Sequence, residues 1–109
     1  MLSVEIEKFM DNEVRVKIIF DSQSYISGVV YIDDGELYIN YFHVNPINRG
    51  KGIGSKLLVK VIEESKERFN INKVLLDDES QNYRKPRNIY IKHGFGYLNN
   101  NDKAMSLKI

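Results

Sequence analysis

Residues 38–58 read YINYFHVNPINRGKGIGSKLL and decide how the rest of the chain is arranged. A run of aromatic and β-branched residues ends at Val44, a short turn with Pro46 follows, and three glycines then lead into a helical pattern. A strand that breaks into a glycine-rich turn and then a helix exposes backbone N–H groups at a helix N-terminus, where phosphate groups bind. The stretch therefore predicts a phosphate-binding turn between a strand and a helix.

The composition predicts one small domain, residues 1–109. The chain has 16 Lys and Arg against 15 Asp and Glu, and it has no cysteine. A net charge of +1 argues against a dedicated nucleic-acid or membrane-surface protein. The absence of cysteine excludes disulfides and Cys-ligated metals. No apolar run approaches the roughly 20 residues of a membrane helix, and the charged N-terminus is not typical of a signal peptide. We expect a cytoplasmic protein with no metal.

Periodicity predicts seven strands and two helices. The strands, recognised by alternating or continuous apolar residues, fall at residues 4–9, 14–20, 25–32, 36–44, 74–76, 95–98 and 104–109. Gly28 suggests a bulge in the third strand. A helical pattern runs from about residue 52 to 69, and a short second helix around residues 89–91 could begin at Pro86. The expected fold class is α+β, a mixed and mostly antiparallel sheet in which the fourth and fifth strands are parallel.

The glycine spacing excludes two common phosphate motifs. A nucleotide-binding P-loop needs Gly-Lys before Ser or Thr, whereas Gly54 is followed directly by Ser55. The order Gly50-x-Gly52-x-Gly54 has the wrong last interval for a dinucleotide fingerprint, and the strands before it form an antiparallel meander.

Three stretches together resemble the GNAT superfamily of acetyl-CoA-dependent N-acetyltransferases. Val44-x-Pro46 followed by residues 49–54 resembles its Arg/Gln-x-x-Gly-x-Gly/Ala motif. Residues 89–95, IYIKHGF, resemble its later tyrosine-bearing helix end, and Met105-x-Leu107 resembles its terminal strand. The resemblance covers residues 14–109 and implies a compact GNAT-like fold. The usual first two helices are lacking, because only a turn fits between the first two strands.

The resemblance implies transfer of an acetyl group from acetyl-CoA to a primary amine by direct attack. Tyr90 would protonate the departing thiolate, and the Val44 N–H would hold the acetyl oxygen. A core aromatic is the alternative reading of Tyr90. Without cysteine, an acetyl-cysteine intermediate is excluded. The residues implied to bind the cofactor are Val44, Arg49, Gly50, Lys51, Gly52, Ile53, Gly54, Ser55, Asn82 and Tyr90.

The general base and the acceptor stay open. Histidine is the residue type suited to proton transfer near neutral pH, and His43 is the candidate base on the fourth strand, although an ordinary strand histidine is the alternative. Glu36, Asp77 and Asp78 are remoter candidates. The acceptor is expected to be a small-molecule amine or a polypeptide. Because the two helices are absent, the acceptor site is either exposed to solvent or completed by a second subunit. A homodimer is therefore one of the alternatives.

Two other function classes compete with the enzyme. A non-catalytic CoA-binding or protein-interaction module would keep the glycine turn and lack an acceptor site. A nucleic-acid binder would use a basic cluster that lies close to acidic residues 77–79, and a near-neutral chain disfavours it. That cluster is Arg84, Lys85, Arg87 and Lys92.

Overall fold

The computed structural model describes residues 1–80, 82–85, 87–100 and 102–109. In this part of the chain, seven strands form one sheet in the order β1-β2-β3-β4-β5-β7-β6. The strands are β1 (Ser3–Met10), β2 (Glu13–Asp21), β3 (Ser24–Tyr31), β4 (Glu36–His43), β5 (Lys73–Asp77), β6 (Gly96–Tyr97) and β7 (Ala104–Lys108). The helices are α1 (Ile53–Phe69) and α2 (Ile89–Lys92). The predicted α+β sheet with two helices is confirmed.

The topology follows the predicted order. The strands β1 to β4 form an antiparallel meander, and a turn at Asp11 and Asn12 takes the place of helices between β1 and β2. The helix α1 then carries the chain from β4 to β5, which pair in parallel. The strands β7 and β6 complete the sheet in antiparallel pairing.

Both helices pack on one face of the sheet. Leu57, Leu58 and Val61 of α1 are fully buried against β2, β3 and β4, because the apolar residues of α1 recur on one helical side. The helix α2 lies beside the start of α1, since a Cβ added at Gly54 would lie 3.3 Å from Ile89 Cδ1. The opposite face of the sheet carries neither described helix. Within the described residues, no helix has the length and apolar character to cross a membrane.

A bulge divides β4. Ser27 pairs with Tyr41 while Gly28 pairs with Ile39, so Asn40 is an extra residue on β4. A side chain at Gly28 would collide there, because an added Cβ would lie 2.7 Å from the Tyr38 carbonyl oxygen. The bulge that Gly28 suggested is therefore present, but its extra residue lies in β4 and not in the third strand.

The bulge has two consequences for the end of β4. Pairing between β4 and β5 stops at Ile39, although β4 itself continues to His43, so the two strands part. The extra residue also exchanges the faces of the strand. Phe42 and Val44 consequently pack against the core, whereas Tyr41 and His43 lie on the open face.

Candidate active site

Two cavities meet where β4 and β5 part. The first, about 450 Å³, lies between the glycine turn, the end of β4 and α2, and we call it the glycine cleft. The second, about 290 Å³, contains Asp77 in its wall, and we call it the Asp77 hollow. Phe42, Ser80 and Tyr90 line both cavities. The glycine cleft and the Asp77 hollow are thus joined at these three residues.

The glycine turn is built to receive an anion. Gly50 and Gly52 each have φ of +78°, and a Cβ added at either would meet nothing within 4 Å. Gly52 is the N-cap of α1, and the first turn of α1 contains no acidic residue. The partial positive charge at the start of the helix therefore faces the cleft without an internal counter-charge. Arg49 is fixed beside it, because its Nε donates to the Val44 carbonyl oxygen over 3.1 Å.

The structure gathers most of the predicted cofactor residues around this cleft. Its wall includes Val44, Arg49, Gly50, Gly52, Ile53, Gly54, Ser55, Asn82 and Tyr90. Lys51 and His43 do not line it. Lys51 is exposed, and His43 pairs with Tyr25 of β3. Sequence reasoning missed Phe42, Asn48, Ser80, Ile89 and Lys92, which also line the cleft. Ile89 and Lys92 have no spacing signal, because α2 reaches α1 only through tertiary packing.

The Val44 amide faces the gap between β4 and β5. The next amide, Asn45 N–H, donates to Ser24 Oγ on β3 over 2.9 Å. Successive amides of an extended chain point to opposite sides, so the Val44 N–H points away from β3. The Val44 N–H therefore points to the side of β4 where pairing with β5 has stopped.

The Tyr90 side chain is almost completely buried. It is 8% exposed, and its ring centroid lies 6.1 Å from that of Phe42 and 5.9 Å from that of Phe95. Burial raises the pKa of Tyr90 to about 12, and the negative charge of Asp78 contributes to the increase. The phenol therefore stays protonated at neutral pH, so it can donate a proton or a hydrogen bond there.

Asp78 holds the segment that carries Tyr90. Its buried carboxylate accepts hydrogen bonds from Ser80 Oγ and Asn88 Nδ2, both at 2.6 Å, and from the Tyr97 hydroxyl. Asn88 Oδ1 in turn accepts from the Tyr90 N–H over 2.8 Å. Burial alone raises the pKa of Asp78, but these hydrogen bonds outweigh it and hold the pKa below its usual value.

The same network bears on two sequence predictions. The helix α2 begins at Ile89, where the Asn88 side chain caps it, and Pro86, the residue where the sequence suggested a start, lies outside the described residues. Asp78, a remoter base candidate, lines neither the glycine cleft nor the Asp77 hollow. Its lone pairs are occupied by the network, so we assign it to positioning Tyr90.

The Asp77 hollow contains two carboxylates. The Tyr38 hydroxyl donates to Asp77 Oδ2 over 2.9 Å, and this bond, together with burial, raises the pKa of Tyr38. Glu79 is paired with Lys103 at 2.9 Å. Glu36, another sequence candidate, pairs with Lys73 at the other end of β4. Among the sequence candidates for the base, Asp77 is the one that lines a cavity together with Tyr90.

The described residues contain no group of three or more His, Asp or Glu side chains placed to hold a metal ion. The two cavities are lined instead by hydroxyl groups, amides, carboxylates and aromatic rings.

Asp78→Asn tests the positioning network. The amide NH₂ presents hydrogens to groups that themselves donate, so we expect unfolding free energy to fall by about 2–3 kcal/mol, measured by urea denaturation at pH 7. The folded pKa of Asp78 is lowered, so its contribution exists above the ordinary value near 3.9 and disappears as pH falls through the folded pKa. The difference from the parent should therefore shrink in acid. Asp11→Asn, at an exposed carboxylate, is the control, and equal stability of both variants would contradict the assignment.

Solved structures share this fold. The ribosomal-protein-S18-alanine N-acetyltransferase from Escherichia coli has a TM-score of 0.67 at 17% identity, over 93% of this chain and 72% of its own. PaiA N-acetyltransferase from Thermoplasma acidophilum, in complex with coenzyme A, has 0.68 at 20%, over 90% and 62%. Mutant forms of the spermidine/spermine N-acetyltransferase SpeG from Vibrio cholerae give 0.64 at 16%, over 90% and 65%.

Comparison of sequences gives the family. No curated protein matches the chain. The family model described as an acetyltransferase (GNAT) domain matches residues 13–96, which is well over half of the sequence. This protein belongs to the GNAT family of acetyltransferases.

Proposed function

We propose that this GNAT domain transfers an acetyl group from acetyl-CoA to the amine of an acceptor by direct attack on the thioester. The observation that carries the proposal is the junction of the two cavities at Tyr90. A donor held in the glycine cleft and an amine held in the Asp77 hollow would meet there. The chain contains no cysteine, so its residues support a single transfer without an acetyl-cysteine intermediate.

The glycine turn would hold the donor. The amides of residues 50–55, at the positive end of α1, suit the pyrophosphate of CoA. Arg49 and Ser55 line the same wall and can add hydrogen bonds. The parted ends of β4 and β5 leave the β4 edge free to pair with the amide groups of the pantetheine arm.

The Val44 N–H would stabilise the transition state. When the amine attacks the carbonyl carbon, negative charge develops on the acetyl oxygen, and a fixed backbone donor stabilises it. The C–S bond then breaks and the electron pair leaves with sulfur. Because the Val44 amide is directed by the strand and not by a mobile side chain, it needs no reorganisation during the reaction.

Tyr90 would act on the departing sulfur. An ordinary thiol has a pKa near 8.5, about 3.5 units below that of Tyr90, so full proton transfer is uphill by roughly 5 kcal/mol unless the buried site also raises the thiol pKa. A hydrogen bond from the protonated phenol has no such cost. We therefore assign Tyr90 first as hydrogen-bond donor to the thiolate and then as its proton source.

Asp77 is the proposed acceptor-side carboxylate. A protonated amine must lose a proton before it attacks. Asp77 lines the same hollow as Tyr90, and its carboxylate is held by Tyr38, so it can attract the ammonium and receive the proton directly or through water. His43, the sequence candidate, lies on the open face outside both cavities, and we place it second.

Acetyl-CoA binding tests the donor site. At about 100 times its Kd, a ligand specific for the folded state adds about 2.7 kcal/mol to stability, which corresponds to a Tm increase of about 10 °C or more for a domain of this size. Gly52→Asp should abolish the increase, because its carboxylate would project from the glycine turn and repel the pyrophosphate. Gly52→Asn is the matched control, since it has the same shape and tolerates the positive φ of +78°. Equal thermal shifts for both variants, or no shift for the parent protein, would refute pyrophosphate binding at the glycine turn.

Tyr90→Phe tests the acid. We expect kcat to fall by about 100-fold or more while the acetyl-CoA thermal shift is kept, because phenylalanine preserves the packing against Phe42 and Phe95. Released CoA can be followed with a thiol reagent, since the protein has no cysteine. Binding without turnover in the parent protein would favour a non-catalytic CoA-binding module. Full turnover in the Phe variant would exclude Tyr90 as the acid.

A further inference from the structure

A third cavity, of about 330 Å³, lies on the open face of the sheet. It is formed by side chains of β2, β3 and β4, and we call it the basic shelf: Arg15, Lys17, Tyr25, Ser27, Asn40 and Tyr41. Neither described helix covers this face. The shelf is therefore accessible from solvent, and its residues are not part of the donor site.

Aromatic rings form the floor of the shelf. Tyr25 and Tyr41 stack with centroids 4.6 Å apart and planes inclined by 19°. Tyr41 is 43% exposed. Ser27 Oγ donates to Asn40 Oδ1 over 3.1 Å beside them, which ties the bulge residue to β3. Flat, rigid rings of this kind provide contact area with a small loss of conformational entropy.

The cations of the shelf have no carboxylate partner in the described chain. Lys17 Nζ lies 4.2 Å from the Tyr25 ring centroid, and the Arg15 guanidinium lies 4.6 Å from that of Phe9. Glu5 and Glu7 stand opposite these residues in the register of β1 and β2. No ion pair joins Glu5 to Lys17 or Glu7 to Arg15: Lys17 Nζ lies over the Tyr25 ring of β3, and the Arg15 guanidinium lies over the Phe9 ring of β1. Lys17 is therefore placed to receive an anion from a ligand on the sheet.

The basic shelf adjoins the Asp77 hollow, in which the acceptor amine is proposed to bind. Asn40 and Tyr41 line both the basic shelf and the Asp77 hollow. Three strand intervals separate β2, which carries Lys17, from β5, which carries Asp77. At about 4.8 Å each they amount to no less than about 14 Å, because β4 and β5 part beyond Ile39. An extended peptide covers that distance in about four residues at roughly 3.3 Å per residue. Negative charge at one end and positive charge at the other match a ligand with an amine and an acid at that separation.

We propose that the basic shelf binds an acidic side chain of a polypeptide acceptor, about four residues from the amine that is acetylated. This inference rests on the proposed acetyl transfer and adds the class of acceptor. The peptide crosses the open face over the stacked tyrosines, its amine reaches the Asp77 hollow, and its carboxylate approaches Lys17. A small polyamine would meet like charge at the shelf.

A peptide panel tests the inference on the whole protein. One series presents a free N-terminal amine without lysine, and a second has a blocked N-terminus and a single lysine. In each series one Glu is moved from one to eight positions away from the amine, with Gln at the same position as the reference. We expect kcat/KM, followed by CoA release, to peak about four residues away, about fivefold above the Gln peptide. Added salt should reduce that preference.

Charge reversal at the shelf provides the control. Lys17→Glu should remove the preference for Glu, or reverse it in favour of Lys at the same peptide position, and should keep the acetyl-CoA thermal shift of the parent protein. Lys66→Glu makes the same change on α1, which lies on the other side of the sheet, and should keep the preference. Both sites are solvent-accessible, and thermal unfolding without ligand confirms that each variant is folded.

The outcomes separate the inference from the proposed function. Equal rates for Glu and Gln peptides, or acetylation of small amines but of no peptide, would overturn the proposed role of the basic shelf. Acetyl transfer itself would not be contradicted. A preference for Glu that Lys17→Glu does not change would also overturn the proposed role of the basic shelf. No thermal shift with acetyl-CoA and no CoA release with any amine would instead overturn the proposed function. A preference at about four residues that follows the charge of residue 17 supports the inference.

Discussion

The extra residue in β4, Asn40, directly follows the point where β4 stops pairing with β5. Asn40 has no partner on β3, so the strand beyond it exchanges its faces and leaves β5 after Ile39. The gap exposes backbone donors that a continuous sheet would use internally. The absence of a side chain at Gly28 permits the bulge, because a Cβ there would lie 2.7 Å from the Tyr38 carbonyl oxygen. A donor arm entering the gap would replace the lost strand pairing with its own amide groups.

The two walls of the gap are positioned by different forces. On one side, β4 is fixed by its antiparallel pairing with β3, and the direction of the Val44 amide follows from the hydrogen bond of the next amide, Asn45 N–H, to Ser24 Oγ. On the other side, a buried carboxylate organises an irregular segment. Asp78 draws Ser80, Asn88 and Tyr97 together, and Asn88 starts the short helix that carries Tyr90. A four-residue helix has little stability alone, so the position of Tyr90 depends on this network and on its packing against Phe42.

Several parts of the fold and the site could be predicted from residues alone. The three glycines after Val44 and the periodicity behind them predicted α1 within one residue of its start, because backbone freedom and amphipathic spacing are local properties. Gly28 indicated a bulge, but a close approach between two strands does not show which strand holds the extra residue. Val74, Leu76 and Asp78 alternate as one buried face, so period-two spacing could have identified the buried carboxylate. The approach of Ile89 and Lys92 to the glycine turn depends on tertiary packing and had no sequence signal.

The most direct measurement is an amide NMR titration of the ¹⁵N-labelled protein with CoA and, separately, with acetyl-CoA. The amides of residues 50–55 should shift with both ligands, since both carry the pyrophosphate. The Val44 amide should shift strongly with acetyl-CoA and much less with CoA, because only acetyl-CoA brings a carbonyl oxygen to that donor. Equal shifts of Val44 with the two ligands, or changes confined to β1 and β2, would contradict the placement of the thioester between β4 and β5.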